Sequence, residues 1–414
     1  MVIVRKGMAA EFLREIVNPF ELPPEESGPQ RKVGNREDKA GGASSTIAAD
    51  IFIVIARRLM RMKQQQRTAR SRQRTSVRDI EELDELLSEP TEAASDTLGA
   101  LDGDIVILGV GGKMGPTLAR MAKRASEIAG VSRRVIGVSR FSSPRLESQL
   151  QAQGVETVRG DLLDPKSLSA LPDAANIVFM AGMKFGTTGQ ESQTWAMNSF
   201  LPGLVSERYR QSRIAAFSTG NVYGLSPVSL GGSREQDALN PAGEYAMSCL
   251  GRERIFEHFS RRNETRMSIL RLNYATELRY GVLVDIAQRV YAGQPVPLSM
   301  GYLNAIWQGD ASGMSLEALG SASVPPFVIN IAGPELLSVR RVAEQFGERL
   351  HKPVRFEGQE SADALLSDAR KSYELFGRPR VDAEQMITWI ADWVSRGGAT
   401  LARPTHFEDR AGRF

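Results

Sequence analysis

The chain has 414 residues, and its 42% hydrophobic and 24% charged content is typical of a globular protein with one large domain or two. A lone cysteine, Cys249, excludes a disulfide framework, and with only three scattered histidines no metal site is predicted. No apolar run approaches the roughly 20 residues that span a bilayer. We therefore expect a cytoplasmic protein without a membrane span.

Residues 1–76 have the composition of a poorly ordered extension, with turn-rich and polar stretches. Within it, the acid-free basic run 57–74 could bind nucleic acid or an anionic membrane surface, but such runs are more often solvated. We therefore expect no specific nucleic-acid partner. An alternative is that the start codon lies further downstream, since Met60 and Met62 precede the first strongly patterned residues.

Two acidic helices are predicted next. Ser76 to Asp79 resembles a capping box that starts a helix at Ile80, Pro90 ends this helix, and residues 91–101 form a second one. We expect both helices to cover an edge of the following domain, and we assign no chemistry to them.

Residues 104–115 combine an apolar strand with a glycine-rich turn. The apolar run stops at Gly109, and helix-spaced apolar residues begin at Met114. Gly109 permits a tight turn, Gly112 lets the backbone approach a pyrophosphate, and Gly115 lets the helix pack on the strand. Because the amino end of a helix attracts anions, the pattern predicts a dinucleotide site. The alternative is an ordinary turn between a strand and a helix.

Beyond this turn, strand and helix patterns alternate. Near-continuous apolar strands separated by helices predict a doubly wound α/β fold, the Rossmann type, with a parallel sheet covered on both faces. After the first strand, the predicted strands lie at residues 134–139, 155–158, 176–181, 214–218 and 267–272. Ligands of such sheets bind at the carboxyl ends of the strands, where polar residues follow in this chain.

The chain is less regular after residue 275. Its expected elements are a helix at 280–292, a strand at 325–332, a helix at 339–350 capped by Ser338, and a late helix with Trp389 and Trp393 in the core. The expected organisation is an extension at 1–76, a Rossmann domain with its helical cover at 77–275, a smaller substrate-binding lobe at 276–400, and a tail at 401–414.

The motifs from residue 104 to 395 follow the order of a known family. They are Gly109-x-x-Gly112-x-x-Gly115, Gly160-Asp161-Leu162, Phe179-x-Ala181-Gly182, Asn198 to Gly203, Ser218-Thr219-x-x-x-Tyr223-Gly224, Tyr245, Arg271-x-Asn273 and Asn330-x-x-Gly333. In this order they resemble the extended short-chain dehydrogenase/reductase family, of the nucleoside-diphosphate-sugar epimerase/dehydratase type. The resemblance implies an NAD or NADP cofactor, a sugar or nucleotide-sugar substrate, and a homodimer formed through the helix that carries Tyr245 and the helix before it.

The resemblance also implies roles for individual residues. Thr219 matches the residue that orients the reacting hydroxyl, and Tyr245 matches the acid/base of a Tyr-x-x-x-Lys pair. Asn221 and Asn273 would bind the substrate, Asn273 at its phosphates. The expected cofactor-binding residues are Gly109, Gly112, Lys113, Met114, Gly115, Ser139, Arg140, Asp161, Leu162, Ala181, Gly182, Met183 and Tyr245.

The chain departs from the family pattern at Cys249, which replaces the lysine of the Tyr-x-x-x-Lys pair. That lysine normally lowers the tyrosine pKa and binds the nicotinamide ribose, whereas a phenol with the free pKa of about 10 is a poor base at neutral pH. Arg252, on the same helical face as Tyr245, or Lys184 could supply the missing charge. The competing hypothesis is a catalytically degenerate protein that binds the dinucleotide as a sensor or scaffold.

A second departure concerns the reaction. In the 4,6-dehydratases of this family, Asp and Glu follow the active-site threonine and eliminate water. Gly220 and Asn221 occupy these positions here, and neither side chain can transfer a proton. The sequence therefore argues against 4,6-dehydration and leaves epimerisation or simple oxidation and reduction.

The choice of cofactor depends on the end of the second strand. An acidic residue there binds the ribose hydroxyls of NAD, whereas an arginine accommodates the 2′-phosphate of NADP. Ser139-Arg140, with Lys113 in the glycine loop, favours NADP over NAD. Stacking of Arg140 on the adenine is the alternative interpretation.

Overall fold

The computed structural model describes residues 74–413, and the expectations for the basic run and for a downstream start lie outside this range. Its centre is a seven-stranded sheet in which all neighbours are parallel, with the order β7-β6-β5-β4-β1-β2-β3. The strands are β1 Ile105–Leu108, β2 Val135–Ser139, β3 Glu156–Arg159, β4 Asn176–Phe179, β5 Arg213–Thr219, β6 Met267–Leu272 and β7 Phe327–Ile331. The predicted doubly wound α/β fold is confirmed.

Helices connect the strands and cover both faces of the sheet. The α-helices are α1 Ile80–Leu87, α2 Glu92–Ala100, α3 Gly115–Ile128, α4 Pro144–Ala152, α5 Pro165–Ser169, α6 Glu191–Trp195, α7 Leu201–Arg208, α8 Gly243–Asn263, α9 Val282–Tyr291, α10 Gln308–Glu317, α11 Val339–Leu350, α12 Arg370–Phe376 and α13 Ala383–Ser395. A π-helical turn spans Ala196–Phe200, and short 3₁₀ segments span Gly220–Tyr223 and Val228–Leu230. Paired two-residue strands join the remaining loops, at Ser226–Pro227, Ala275–Thr276, Val296–Pro297, Tyr302–Leu303, Ile306–Trp307, Leu337–Ser338, Phe356–Glu357 and Asp363–Ala364.

Strand β1 shows why the sheet needs cover on both sides. All four of its residues are buried. Ile105 and Ile107 join an apolar cluster with α2, α3 and α10, whereas Val106 and Leu108 join a second cluster with α5, α7 and α8. Alternating side chains of a strand point to opposite faces, so a wholly apolar strand is stable only between two layers of helices.

The order of the strands in the sheet determines where a crevice for a ligand forms. The chain runs outward from β1 through β2 to β3 and then returns to β4 on the other side of β1. Loops on the two sides of this reversal separate and leave a crevice at the carboxyl ends of β1 and β4. Gly109 follows β1 and Met180 follows β4, so both residues lie at this crevice.

The start of α1 differs from the prediction. Asp79 is the N-cap, and its Oδ1 accepts the backbone N–H of Glu82 at 2.8 Å. The predicted capping role of Ser76 is therefore wrong, because Asp79 is the residue that directly precedes the first helical turn. The second helix starts where expected, with Thr91 as its N-cap, but Leu98 packs into a face of the sheet layer instead of covering an edge.

Residues 276–400, expected to form one lobe, divide between the layers around the main sheet and a separate helical cluster. Strand β7 is an edge strand of the main sheet, and α10 packs against the same apolar cluster as α3. The other helices of this range, α9, α11 and α13, form a separate apolar cluster with α1. Phe407, in the segment expected to be a tail, is 3% exposed and packs in that cluster.

Helix α10 was not predicted, because its sequence has no polar face to alternate with an apolar one. All ten of its residues are buried. The Oε1 of Glu317 accepts a hydrogen bond from the Thr91 hydroxyl at 2.5 Å, and within the described part of the chain Oε2 has no partner. Burial raises the pKa of Glu317 to about 7.

We expect Glu317→Gln to stabilise the fold at pH 8 but not at pH 4.5. An acid whose pKa is higher in the folded protein binds its proton more tightly when folded. Stability therefore falls as the pH rises from 4.5 to about 7, by on the order of 3 kcal/mol. Thermal melts of both proteins across this range measure the difference, and a constant difference at all pH values would contradict it.

Candidate active site

A cavity of about 260 Å³ opens at the carboxyl ends of the strands. The glycine loop forms one wall, the ends of β5 and β6 form the floor, and α8 contributes Tyr245. Many of the predicted site residues line this cavity together, namely Gly109, Gly112, Lys113, Met114, Thr219, Asn221, Tyr245 and Asn273. Residues that are far apart in the chain thus meet where the motifs and the strand order place a ligand.

The other predicted residues do not line the cavity. They are Gly115, Ser139, Arg140, Asp161, Leu162, Ala181, Gly182, Met183 and Arg252. Ser139 ends β2, and Asp161 follows β3, where its carboxylate accepts the backbone N–H of Leu163 at 3.0 Å. Their position along the carboxyl edge fits the distal end of an extended dinucleotide, and their cofactor roles stay predictions.

The glycine loop has the shape that a pyrophosphate requires. Gly109 has a φ of +91°, and a Cβ there would lie 2.7 Å from the backbone of Ala181. A Cβ on Gly115 would lie 2.1 Å from the carbonyl oxygen of Val110. By contrast, a Cβ on Gly112 meets only the Gly109 carbonyl oxygen, at 3.4 Å. Helix α3 has no side-chain cap at its amino end, which suits an anion there.

Two alanine substitutions separate folding from cofactor binding. Gly115→Ala forces α3 away from the loop, so we expect a loss of stability of on the order of 2 kcal/mol and weaker cofactor binding. Gly112→Ala meets no close atom in the protein, so we expect normal stability but weaker binding. Melting temperatures and NADPH titrations check both variants. Equal NADPH affinity of Gly112→Ala and wild type would contradict the pyrophosphate assignment.

Thr219, Tyr245 and Cys249 form one hydrogen-bonded group. The Tyr245 hydroxyl shares hydrogen bonds with the side chains of Thr219 and Cys249, and the Nδ2 of Asn221 donates to the Thr219 hydroxyl at 2.8 Å. Tyr245 and Cys249 lie one turn apart on α8. Burial, together with the neighbouring Cys249, raises the pKa of Tyr245 above the usual range of a phenol.

Arg252 lies on the same helix but behind this group. Its guanidinium donates to the Phe217 carbonyl at 2.7 Å and to the Asn198 Oδ1 at 2.7 Å. The same oxygen of Asn198 accepts the backbone N–H of Met183 at 2.9 Å. The positive charge of Arg252 lowers the pKa of Tyr245, against the larger effect of burial. Arg252 thus acts on the tyrosine by its charge and supports the backbone that precedes Lys184.

Two lysines reach the cavity itself. The Nζ of Lys184 lies 5.7 Å from the ring centre of Tyr245, and burial lowers the pKa of Lys184 to about 8. Lys113 donates to the Ala275 carbonyl at 3.1 Å, and its Nζ lies 3.7 Å from the ring centre of Tyr280. Burial lowers the pKa of Lys113, an effect that the nearby Glu277 opposes.

Asn273 has little hydrogen-bonding capacity left for a substrate. It is buried beneath the cavity, and its Nδ2 donates to the Asn304 Oδ1 at 3.0 Å and to the Leu365 carbonyl at 3.4 Å. Its contact with substrate phosphates stays a prediction: Asn273 lines the cavity, but its amide nitrogen already donates within the protein.

The sequence analysis did not predict several cavity residues. These are Phe185, Tyr274, Tyr280, and the C-terminal residues Thr405, His406, Phe407 and Asp409. Tyr280 was read only as the start of a helix. The C-terminal residues carry no motif and lie far along the chain from Tyr245, so only the three-dimensional structure shows that they share its cavity.

Comparison with known proteins agrees with this geometry. Residues 105–298 match the model of the NAD dependent epimerase/dehydratase family. The predicted family resemblance is confirmed. The matched region includes the glycine loop, Thr219, Tyr245 and Cys249. No curated protein matches the chain.

Solved structures of enzymes from this family share the fold at low sequence identity. UDP-glucuronic acid 4-epimerase from Bacillus cereus, in complex with NAD, is 17% identical with a TM-score of 0.60, and the match covers 71% of this chain and 99% of that one. dTDP-glucose 4,6-dehydratase from Bacillus anthracis, also with NAD, is 17% identical with a TM-score of 0.60, covering 71% and 96%. UDP-glucose 4-epimerase from Thermotoga maritima is 16% identical with a TM-score of 0.59, covering 71% and 99%. None of the described helices is long and apolar enough to cross a membrane.

Proposed function

We propose that the chain is an NAD(P)-dependent epimerase or oxidoreductase that acts on a sugar, and specifically on a nucleotide-linked sugar. The observation that carries this proposal is the shared cavity, in which the glycine loop faces Thr219, Tyr245 and Lys184. A dinucleotide held by the loop would extend its nicotinamide toward these side chains. The match to the NAD dependent epimerase/dehydratase family supports the same reading.

The chain's own residues would handle the proton of the reaction. The bound nicotinamide supplies or accepts the hydride. Tyr245 transfers a proton to or from the reacting oxygen, and Thr219, oriented by Asn221, holds that oxygen by a hydrogen bond. The raised pKa of Tyr245 keeps its proton in place at neutral pH. This favours the direction in which a ketone is reduced and Tyr245 is the proton donor.

We further propose that the two tasks of the missing family lysine are divided in this chain. Arg252 supplies a permanent charge that lowers the pKa of Tyr245, but its hydrogen bonds to Phe217 and Asn198 hold it behind the cavity. Lys184 lines the cavity and would bind the cofactor ribose. Under this proposal no positive charge is needed at position 249, and the protein is active although Cys249 replaces the family lysine.

The reaction is proposed to be other than 4,6-dehydration. The two positions after Thr219 are Gly220 and Asn221, and the Asn221 amide is engaged with the Thr219 hydroxyl. A 4,6-dehydratase is nevertheless among the structures that share the fold. Assay of dTDP-glucose for loss of water tests this point, and formation of a 4-keto-6-deoxy product would contradict it.

We propose NADP as the preferred cofactor and a homodimer as the assembly. The NADP preference is based on Arg140 at the end of β2, although NAD is bound in the two bacillary structures described above.

The dimer would form through α8 and the segment before α7, where Trp195, Phe200 and Met247 are large apolar side chains exposed by 38 to 61%. We expect Phe200→Glu to yield a monomer in light-scattering measurements of molar mass.

The competing proposal is that the chain binds a dinucleotide as a sensor or scaffold and has no catalytic activity. It is supported by the contact of Cys249 with the Tyr245 hydroxyl, because this contact raises the pKa of the tyrosine. Titration with NADPH and NADH, followed by tryptophan fluorescence, is the first test, and tighter binding of NADPH is expected. Turnover on a panel of nucleotide sugars then separates the enzyme from the sensor. If neither cofactor binds, both proposals are wrong.

A further inference from the structure

The C-terminal segment 401–413 is fixed to the protein along its length. The backbone N–H of Leu401 donates to the Arg279 carbonyl at 3.0 Å. Thr405 donates twice to the Asp285 carboxylate, from its backbone N–H at 2.7 Å and from its hydroxyl at 2.6 Å. Together with the buried ring of Phe407, these contacts give residues 405–407 a defined position without any helix or strand.

Beyond Phe407 the segment crosses to the helix that carries Tyr245. The hydroxyl of Ser299 donates to the Glu408 carbonyl at 3.1 Å, and Arg410 pairs with the Asp363 carboxylate at 2.5 Å. Gly412 then packs against the backbone of Ala242, the N-cap residue of α8. The segment therefore bridges the C-terminal helices and the catalytic helix.

Four residues of this segment, Thr405, His406, Phe407 and Asp409, line the cavity that contains Thr219 and Tyr245. His406 has a φ of +52°, a conformation that costs energy for a residue with a side chain and that is found where surrounding contacts impose it. The contacts of Thr405 and Phe407 on either side of it supply that constraint. His406 is both exposed to solvent and one of the residues that line the cavity, which places it at the cavity mouth.

The charged residues that line this cavity favour an anion, while the carboxylates of Glu277 and Asp285 lie close enough to the two lysines to oppose the lowering of their pKa by burial. Lys113 and Lys184 line the same cavity. The carboxylate of Asp409, also at the cavity, pairs with Arg413 at 3.1 Å and accepts the backbone N–H of Ala411 at 2.8 Å. In a cavity that also contains two lysines and an ion-paired aspartate, an imidazole can donate a hydrogen bond to a phosphate or a carboxylate.

We propose that residues 405–409 form the substrate-facing wall of the active site, and that His406 contacts an anionic group of the substrate and sets its specificity. The inference rests on the proposed function, because it assigns the side of the cavity that the cofactor and the Thr219–Tyr245 pair leave for the substrate. The anionic group is a phosphate, as in every nucleotide sugar, or the carboxylate of a sugar acid.

His406→Asn is the variant that tests this proposal. Asparagine tolerates the positive φ of position 406 and removes the imidazole. His351→Asn is a matched control, because His351 is also exposed, has a φ of +53°, and ends α11 without lining the cavity. Both variants are loaded with NADPH, and binding of UDP-glucose, UDP-glucuronate and glucose 1-phosphate is measured by calorimetry.

We expect His406→Asn to bind NADPH as the wild type does and to bind the probes on the order of ten- to a hundredfold more weakly, with no change for His351→Asn. Weakening with all three probes identifies a phosphate contact, and weakening with UDP-glucuronate alone identifies a carboxylate contact. The chain has three histidines, so imidazole NMR signals can be assigned by substitution, and only the signal of His406 should shift when a probe binds.

The possible failures are distinguishable. If the wild type binds the probes and His406→Asn binds them equally well, the inference is wrong while the proposed function stands. If the NADPH-loaded wild type binds none of the probes, the proposed substrate class is wrong, and the inference is overturned with it.

Discussion

Replacing Tyr245 by phenylalanine should lower kcat on the best nucleotide-sugar substrate by about 10²- to 10⁴-fold, the usual contribution of a general acid or base. The substitution removes one oxygen atom and keeps the ring beside Lys184. NADPH affinity should therefore change far less than kcat, since the fold and the glycine loop are untouched and only one hydroxyl contact to the cofactor is lost. Stopped-flow measurement of NADPH oxidation separates the chemical step from binding.

Tyr209→Phe is the control for this prediction. Tyr209 is as deeply buried as a core residue, and its hydroxyl donates to the Pro172 carbonyl at 3.2 Å, outside the cavity. We expect its kcat to match that of the wild type. Substantial turnover by Tyr245→Phe would mean that another group transfers the proton, and the proposed mechanism would then be wrong.

The pH dependence gives a second readout of the same residue. Because the pKa of Tyr245 is raised, the residue is protonated at neutral pH and ready to donate. Tyr245 should therefore not limit the rate of ketone reduction near neutral pH: a fall near pH 8 would reflect loss of the Lys184 charge, and the fall that belongs to Tyr245 lies at higher pH. Arg252→Met should move this fall to higher pH, because it removes a charge that lowers the pKa, whereas Arg252→Lys should move it less.

The sequence predicted the sheet well because the strands carry their own signal. Strand β1 is apolar at every position and is followed by Gly109, so both the burial and the turn can be read locally. Helix α10 carries no such signal, because its cover by α2 and α3 makes all its positions buried. Only the tertiary structure decides that Gln308 and Asp310 are interior residues.

The site residues could be predicted where a sequence motif reflects a steric requirement of the backbone. Gly109 and Gly115 are needed because a Cβ would collide with backbone atoms, so the spacing of the glycines indicates the geometry. The partner of Tyr245 was not predictable in this way. Arg252 and Lys184 were both plausible substitutes for the family lysine from spacing alone, and the difference between them appears only in the hydrogen bonds of Arg252 and in the cavity position of Lys184.

Lys184→Met should weaken NADPH binding on the order of ten- to a hundredfold, if the lysine makes a charge-assisted hydrogen bond to the cofactor. Methionine keeps the apolar stem and removes only the charged end. Lys371→Met is the matched control, because the Nζ of Lys371 also lies near an aromatic ring, that of Phe327 at 4.6 Å, but donates to the Val328 carbonyl at 2.9 Å outside the cavity. Fluorescence titration and kcat are measured for both.

Restoring the family lysine provides the decisive comparison. Cys249 lies one turn from Tyr245 on α8 and close to Lys184. If Lys184 performs the task of the absent lysine, Cys249→Lys should rescue the cofactor affinity and the turnover of Lys184→Met, but it should not rescue Tyr245→Phe. Calorimetric melts show whether the buried lysine is tolerated at position 249.

Each outcome of this rescue separates the two proposed functions. In one outcome the wild type turns over substrate, Lys184→Met does not, and the double variant Lys184→Met/Cys249→Lys regains activity. This means that Lys184, in the loop after β4, performs the task that the family assigns to a lysine on α8. Turnover that appears only when Cys249→Lys is introduced means that the wild type binds the dinucleotide without chemistry, because the phenol of Tyr245 then lacks the charge it requires. An unaltered NADPH affinity in Lys184→Met would show that the cation near the ribose is a different one, and Lys113, which lines the same cavity, would be the next residue to replace.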